Sequence, residues 1–395
     1  MNSLTLMLAR RFGELTRLGK KPLSVLLGCS VLLSGCATAG VSLSNGGLLS
    51  QTVGNDVDIQ PVSTAAYRLA EAEIEFSPKN PNSCLDQWKK ANEAGFLAWC
   101  EGYVLSDLLD RFEYAKDTAA AQMFLDHEKQ IMKGYNSKSR DRARGGRHTR
   151  GWVSKKFSDG KPSYWLVHTG QVISNFARFA AIVRRNKIKR FKRDAARLAK
   201  TADSFFRSYE TDWDGRRYHL PGRRDNATPS KTALALNMQA TFGMTAIYLY
   251  NYNGSAFYRT RAKKIADYTL DFFKVSFDLR GAGVVWPYSE SEKTEDTSHA
   301  LLTLRFVHLA MENNISVSAK QYRTIVKSFI SRTSQTADNL SSDVSGKRPG
   351  TGPSLSKNCY RMMHIARYNQ RLFALCQKVA KTQRSQRKSF AIARD

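Results

Sequence analysis

Apolar positions between residues 95 and 383 fall into successive pairs of segments with helical spacing. In each of the last four pairs the first segment is the more apolar, and the second carries a single apolar stripe. The spacing predicts helices over Gly95–Tyr114 and Thr118–Tyr135, Tyr164–Arg185 and Phe191–Tyr209, and Thr232–Tyr250 and Ala256–Val275. Two further pairs are Thr297–Glu312 with Ser318–Ser334 and Asn358–Tyr368 with Arg371–Gln383. The second members are basic, as in FKRDAARLAKTADSFF (191–206), and the last four first members close near Asn186, Asn253, Asn313 and Asn369. An apolar inner helix wrapped by an amphipathic outer one, repeated along the chain, predicts an all-α fold: an (α/α) toroid of about five to six helical hairpins. An α-solenoid pairs its helices in the same way, so the connections decide between the two. The stretches entering three inner helices (151–170, 212–237 and 280–300) are long, aromatic and glycine-rich, whereas solenoid connectors are short. Entering at one end of the ring, they would line a single cleft, and function is expected there.

Three constellations fall in that cleft. The first is Trp286-Pro287-Tyr288 followed by Glu295-Asp296-Thr297-Ser298-His299. Acids and hydroxyls at a helix start cap it, and that alone accounts for Asp296, Thr297 and Ser298. It does not account for a histidine in the first turn, where the helix dipole disfavours the charged ring. A neutral imidazole beside a carboxylate is a usable general base. Glu295 and Asp296 are adjacent, so their side chains diverge and one of them is expected to face the cleft. The second constellation is Tyr164-Trp165-Leu166-Val167-His168, where His168 takes the helix-start position of His299; Gln239 and His364 continue the series. A third, Arg223-Arg224-Asp225-Asn226 with Asn237 and Gln239, supplies planar donors for carboxylates or sugar hydroxyls. Trp152, Trp165, Trp286 and Tyr288 offer faces for a sugar ring, with core packing as the competing use.

Composition changes the picture mainly through charge. The chain of 395 residues has 42% apolar and 24% charged residues, which excludes wholesale disorder and a polytopic membrane protein. Its 62 Lys and Arg against 34 Asp and Glu leave +28. Residues 1–35 read as a lipoprotein signal peptide: Arg10, Arg11, Arg17, Lys20 and Lys21, then a short apolar run from Leu23 to Leu33. The leader carries +4 of that charge, so the mature chain keeps +24. Such a surface implies a polyanionic partner, although charge spread over helix faces is also plain solvation. Residues 36–62, rich in Gly, Ser, Thr, Asn and Val, read as a flexible tether, and 63–395 as the toroid domain with a basic tail from Lys378. Cys84, Cys100, Cys359 and Cys376 remain in the folded part; four cysteines allow three pairings, of which 84–100 and 359–376 is the most local. No CxxC, HExxH, GxSxG or P-loop occurs, so neither a cofactor nor a metal is expected.

The run Leu33-Ser34-Gly35-Cys36 resembles the lipobox of bacterial lipoproteins. That resemblance implies lipidation at Cys36, a membrane anchor, and location in the cell envelope; Ala37 fits sorting to the outer membrane. No nucleic-acid partner is expected there, and an acidic polysaccharide is. The helix pairs, with the Trp-x-Tyr…Glu-Asp-x-Ser-His loop, resemble toroid carbohydrate-active proteins: polysaccharide lyases, uronyl epimerases and six-hairpin glycosidases. By role, the resemblance implies His299 or His168 as base and Tyr288 or Tyr164 as proton donor. Asn237, Gln239 and Arg223 would hold a uronate carboxylate. A hydrolase would instead need two carboxylates, such as Glu295 or Asp296 with Asp225 or Asp159. A glycan-binding or envelope-assembly lipoprotein without chemistry is the reading from another class.

Overall fold

In a computed structural model of the chain, the residues described are 83–90, 92–135, 149–156, 160, 162–220, 233–277, 284–290, 294–333, 340–347 and 358–392. The leader, the tether, Cys36, Asp159, Arg223 and Asp225 lie outside them. After α1 (Ser83–Lys90) and a π-helical turn (Leu97–Glu101) come five helix pairs. They are α2 (Gly102–Tyr114) with α3 (Thr118–Lys133), α4 (Leu166–Arg185) with α5 (Lys192–Arg207), and α6 (Leu236–Asn253) with α7 (Ala256–Phe277). α8 (Thr297–Glu312) pairs with α9 (Ala319–Thr333), and α10 (Cys359–Ala366) with α11 (Gln370–Ile392). Among the described residues there is no extended sheet; the loops make only isolated antiparallel bridges such as Ser154 with Ser163 and Asp296 with Asp343.

Even-numbered helices form the inner ring. α2 packs on α4, α4 on α6, α6 on α8 and α8 on α10, while each inner helix also packs on the outer helix that follows it. Long side chains complete the circle: Tyr103 of α2 meets the Tyr360 ring of α10 at 5.4 Å, and the Arg361 guanidinium covers the Tyr103 ring at 5.0 Å. Arg305 of α8 reaches across to the Ser106 hydroxyl of α2 at 2.6 Å. The architecture is therefore an (α/α) toroid of five hairpins among the described residues.

Burial follows position in the ring. Every residue of α4 from Leu166 to Val183 is buried, as an inner helix touched on all sides requires. α5 instead buries Ala195, Leu198, Ala199, Ala202, Phe205 and Phe206, one stripe at helical spacing. Inner helices approach closely at two glycines. A Cβ on Gly170 would stand 2.1 Å from the Thr241 hydroxyl, and one on Gly243 would stand 2.3 Å from the Phe306 ring. The asparagines closing the inner helices are explained by their bonds: the Asn186 and Asn313 amides donate to the carbonyls of Ile182 and Leu309 at 3.0 and 2.8 Å, satisfying last-turn acceptors.

Of the three cysteine pairings, the local one is realised, Cys84 with Cys100 and Cys359 with Cys376, each at a Cα separation of 5.4 Å. Their loops span 16 and 17 residues. Replacing both Cys359 and Cys376 with serine is expected to remove about 3 kcal/mol of stability, the loop-closure value at this length. Denaturant titration of the oxidised chain and the variant measures it; equal midpoints would show that the crosslink does not constrain the unfolded state.

Candidate functional site

The residues expected to line the cleft sit where the inner helices begin. α8 starts with Asp296 as N-cap, whose Oδ1 accepts the His299 amide at 3.0 Å. The same carboxylate turns its Oδ2 to His299 Nδ1, giving a short Asp–His pair. Burial works to raise the Asp296 pKa, but the His299 hydrogen bond and charge outweigh it and hold the carboxyl below its ordinary value. The His299 side chain is 31% exposed, and no protein partner for Nε2 is found among the described residues. That nitrogen is thus the free one of an oriented imidazole.

Aromatic rings frame it. The Tyr288 ring lies 5.3 Å from the His299 ring, and the Trp99 ring lies 5.9 Å from it. Burial first, then the nearby carboxylates Glu295 and Asp296, push the Tyr288 phenol up to about 12. Tyr288 therefore keeps its proton at neutral pH and can donate it. The Asn237 amide, 1% exposed, lies beside that phenol without a hydrogen bond of standard geometry. The main chain fixes the loop, because the Leu236 amide at the start of α6 donates to the Tyr288 carbonyl at 3.1 Å.

His168 belongs to the same cluster but does different work. Its Nε2 accepts from the Trp99 indole at 3.2 Å, and its Nδ1 faces the Ser154 hydroxyl at 3.1 Å. With Nε2 an acceptor, Nδ1 carries the proton, and burial lowers the pKa to about 4, so the ring stays neutral. Both nitrogens being engaged, His168 positions Trp99 and the 149–165 loop and has no lone pair left for a base. Gly95 (φ +75°) lies against it, and a Cβ there would stand 2.6 Å from the imidazole.

Other candidates from the sequence sit in the core. Glu295 is fully buried and accepts from the Trp286 indole and, at 3.2 Å, from the Thr303 hydroxyl. Burial raises its pKa well above the ordinary value, and its two bonds to Trp286 and Thr303 hold it in the core. Its side chain diverges from that of Asp296, as adjacency requires. Trp286 itself packs edge-on to Phe273 at 4.6 Å, out of reach of a sugar. Gln239 is fully buried and bonds the main chain of Tyr218 at 2.9 and 2.7 Å and the Leu234 carbonyl at 3.2 Å. Tyr164, 1% exposed, is a core wall whose carbonyl accepts from Tyr209. Trp165, the N-cap residue of α4, packs on the core and is half-buried. His364 leaves the helix-start series, since it is deep in α10 and faces the other end of the ring.

Two cleft residues escape sequence reasoning. Trp99 rides on the π-helical turn before α2, and Arg361 comes from α10, far away in sequence. Arg361 donates to the Ser298 carbonyl, one residue from His299, and has no carboxylate within ion-pair distance among the described residues. A π-turn leaves little trace in hydrophobic spacing, and a single arginine in a chain with 62 basic residues carries no signal. Among the described residues no group of three His, Cys, Asp or Glu is placed to hold a metal ion. No helix described is long and apolar enough to cross a membrane.

No family model and no curated protein matches the chain. Among solved structures it is similar to the Lin0763 protein from Listeria innocua, at 12% identity and a TM-score of 0.43 over 82% of this chain and 87% of that one.

Proposed function

We propose that the cleft is the acid–base centre of an enzyme that breaks an acidic, uronate-type polysaccharide by β-elimination, carried by an envelope lipoprotein anchored at Cys36. The observation behind this reading is the Asp296–His299 pair with a protonated Tyr288 ring 5.3 Å from the imidazole. His299 Nε2 takes the proton α to the uronate carboxylate. The electron pair left on that carbon forms the new double bond as the bond from the neighbouring carbon to the glycosidic oxygen breaks. The Tyr288 phenol protonates the departing oxygen. Negative charge grows on the carboxylate as the proton leaves, and Arg361, beside His299, supplies the compensating cation. The net charge of +24 on the chain from Cys36 onward favours an acidic chain at the surface.

Hydrolysis fits the arrangement less well. It needs two carboxyl groups about 5–10 Å apart across the bond. Of the adjacent pair, Glu295 is fully buried and bonded to Trp286 and Thr303, which leaves Asp296 alone beside His299.

The test uses the full chain in detergent with uronate and neutral polysaccharides, recording the ultraviolet absorbance of unsaturated uronate together with new reducing ends. Both signals rising on a uronate polymer alone is the expected result. Reducing ends without absorbance would replace elimination with hydrolysis, and binding with neither signal would make this a glycan-binding lipoprotein.

A further inference from the structure

The ring has a second opening at the end opposite His299. A cavity of about 720 Å³ lies there, walled by the C-terminal halves of the inner helices. On α8, His308 of this cavity follows His299 by nine residues, about 13 Å along the axis. The Tyr103–Tyr360 contact and the Arg305–Ser106 bond cross the ring among these same inner helices, so the cavity and the cleft are separate sites.

Most charges in the cavity are answered. Arg178 pairs with Asp110 and Glu113 at 2.6 and 2.7 Å, and Arg367 with Glu312 at 2.9 Å. Arg305 differs: it meets the Ser106 hydroxyl and no carboxylate within ion-pair distance among the described residues. Beside it, His364 is 5% exposed and its Nε2 lacks a hydrogen-bond partner. The His308 and His364 rings are 5.9 Å apart. Burial, reinforced by Arg367 and Arg305, holds His308 down at about 3, and burial with the neighbouring His308, Arg305 and Arg361 holds His364 well below its ordinary value. Burial comes first in both shifts; the part that would draw an anion is the smaller one, the positive charge of Arg305, Arg361 and Arg367 around the two rings. Tyr248 and Tyr368 add aromatic surface, and Asn251 adds an amide.

We propose that this cavity binds a small anionic sugar, a pyranose bearing a carboxylate or a phosphate, with the anionic group between Arg305 and His364. The volume is in the range of small-ligand sites. Arg305 offers forked donors to an oxyanion, and His364 offers one more N–H once the anion is present. The tyrosine faces suit a sugar ring. The site is independent of the elimination chemistry proposed for the cleft.

Calorimetric titration of the full chain in detergent, at constant ionic strength, with glucuronate, glucose 6-phosphate, inorganic phosphate and glucose tests it. At least one acidic sugar is expected to bind about tenfold or more tighter than glucose and than inorganic phosphate. Arg305→Met is expected to weaken it at least about tenfold, and His299→Ala to leave it unchanged. Equal binding of glucose, equal binding of inorganic phosphate, or indifference to Arg305→Met would each overturn the proposal. Should that variant fail to fold, the His364 ring resonances of the unsubstituted chain decide: they must move on adding the acidic sugar, and their standing still would overturn it.

Discussion

His299→Ala is expected to lower kcat/KM on a uronate polysaccharide by roughly a thousandfold while leaving the unfolding midpoint nearly unchanged. The fold is spared because the side chain is 31% exposed and contributes little core. The loss is large because the ring is the group oriented by Asp296 and open at Nε2. Asp296→Asn is expected to cost roughly a hundredfold, since an amide holds the helix start but no longer holds the imidazole in the tautomer with Nε2 free. Tyr288→Phe removes the proton donor and keeps the ring that packs on His299; a comparable loss in kcat with little change in KM is expected. On the alkaline side, activity should fall as the phenol of Tyr288 ionises, with a midpoint at about 12. His168→Gln provides the contrast. It disturbs Trp99 and the 149–165 loop, so it should raise KM and lower stability together. If His168→Gln abolished turnover with KM and stability intact while His299→Ala did not, the roles would be reversed.

The second large effect concerns stability. Arg178 of α4 is 4% exposed and forks between Asp110 and Glu113 of α2. Removing one partner of a buried ion pair leaves uncompensated charge, so Arg178→Met is expected to cost roughly 3–5 kcal/mol. Adding Asp110→Asn and Glu113→Gln to that variant should recover part of the loss, because the stranded charges disappear. Denaturant midpoints of the three proteins measure both steps, and a triple variant no more stable than the single one would refute the account. Two carboxylates contribute to the pH dependence with opposite signs: burial raises the Asp110 pKa, so its part is lost as pH rises, and Glu113 does the reverse. Burial pushes the Glu113 pKa up, but Arg178 and Arg185 outweigh that and hold it below 4.5. Its folded pKa is thus below its unfolded one. The contribution is complete above the unfolded value and is lost as pH falls through the folded value. Acid unfolding of the native chain should therefore be steeper than that of Arg178→Met.

The helix pairs were legible because hydrophobic spacing is a property of each segment alone. Thr297–Glu312 is read without error; most other ends shift by a few residues, the first helix opens as a π-helical turn, and the last runs nine residues past Gln383 to Ile392. The glycine-rich aromatic loops were read as lining one end of the ring, the end at which His299 starts α8. What failed is informative. Glu295, Trp286 and Gln239 look like site chemistry because polar and aromatic residues before an inner helix either face the cleft or anchor the loop beneath it. Local sequence does not distinguish the two directions. Trp99 and Arg361 reach the cleft only when the ring closes between α10 and α2, a contact between segments at opposite ends of the domain. No spacing within either segment encodes it.

The bond between Cys84 and Cys100 has a consequence beyond stability. Cys100 is the neighbour of Trp99 on the π-helical turn, and the crosslink ties that turn to α1. Trp99 is in turn the wall shared by His168 and His299. A chain whose thiols are still reduced lacks the tie behind that wall, so the place of Trp99 beside both histidines rests in part on a covalent bond to α1.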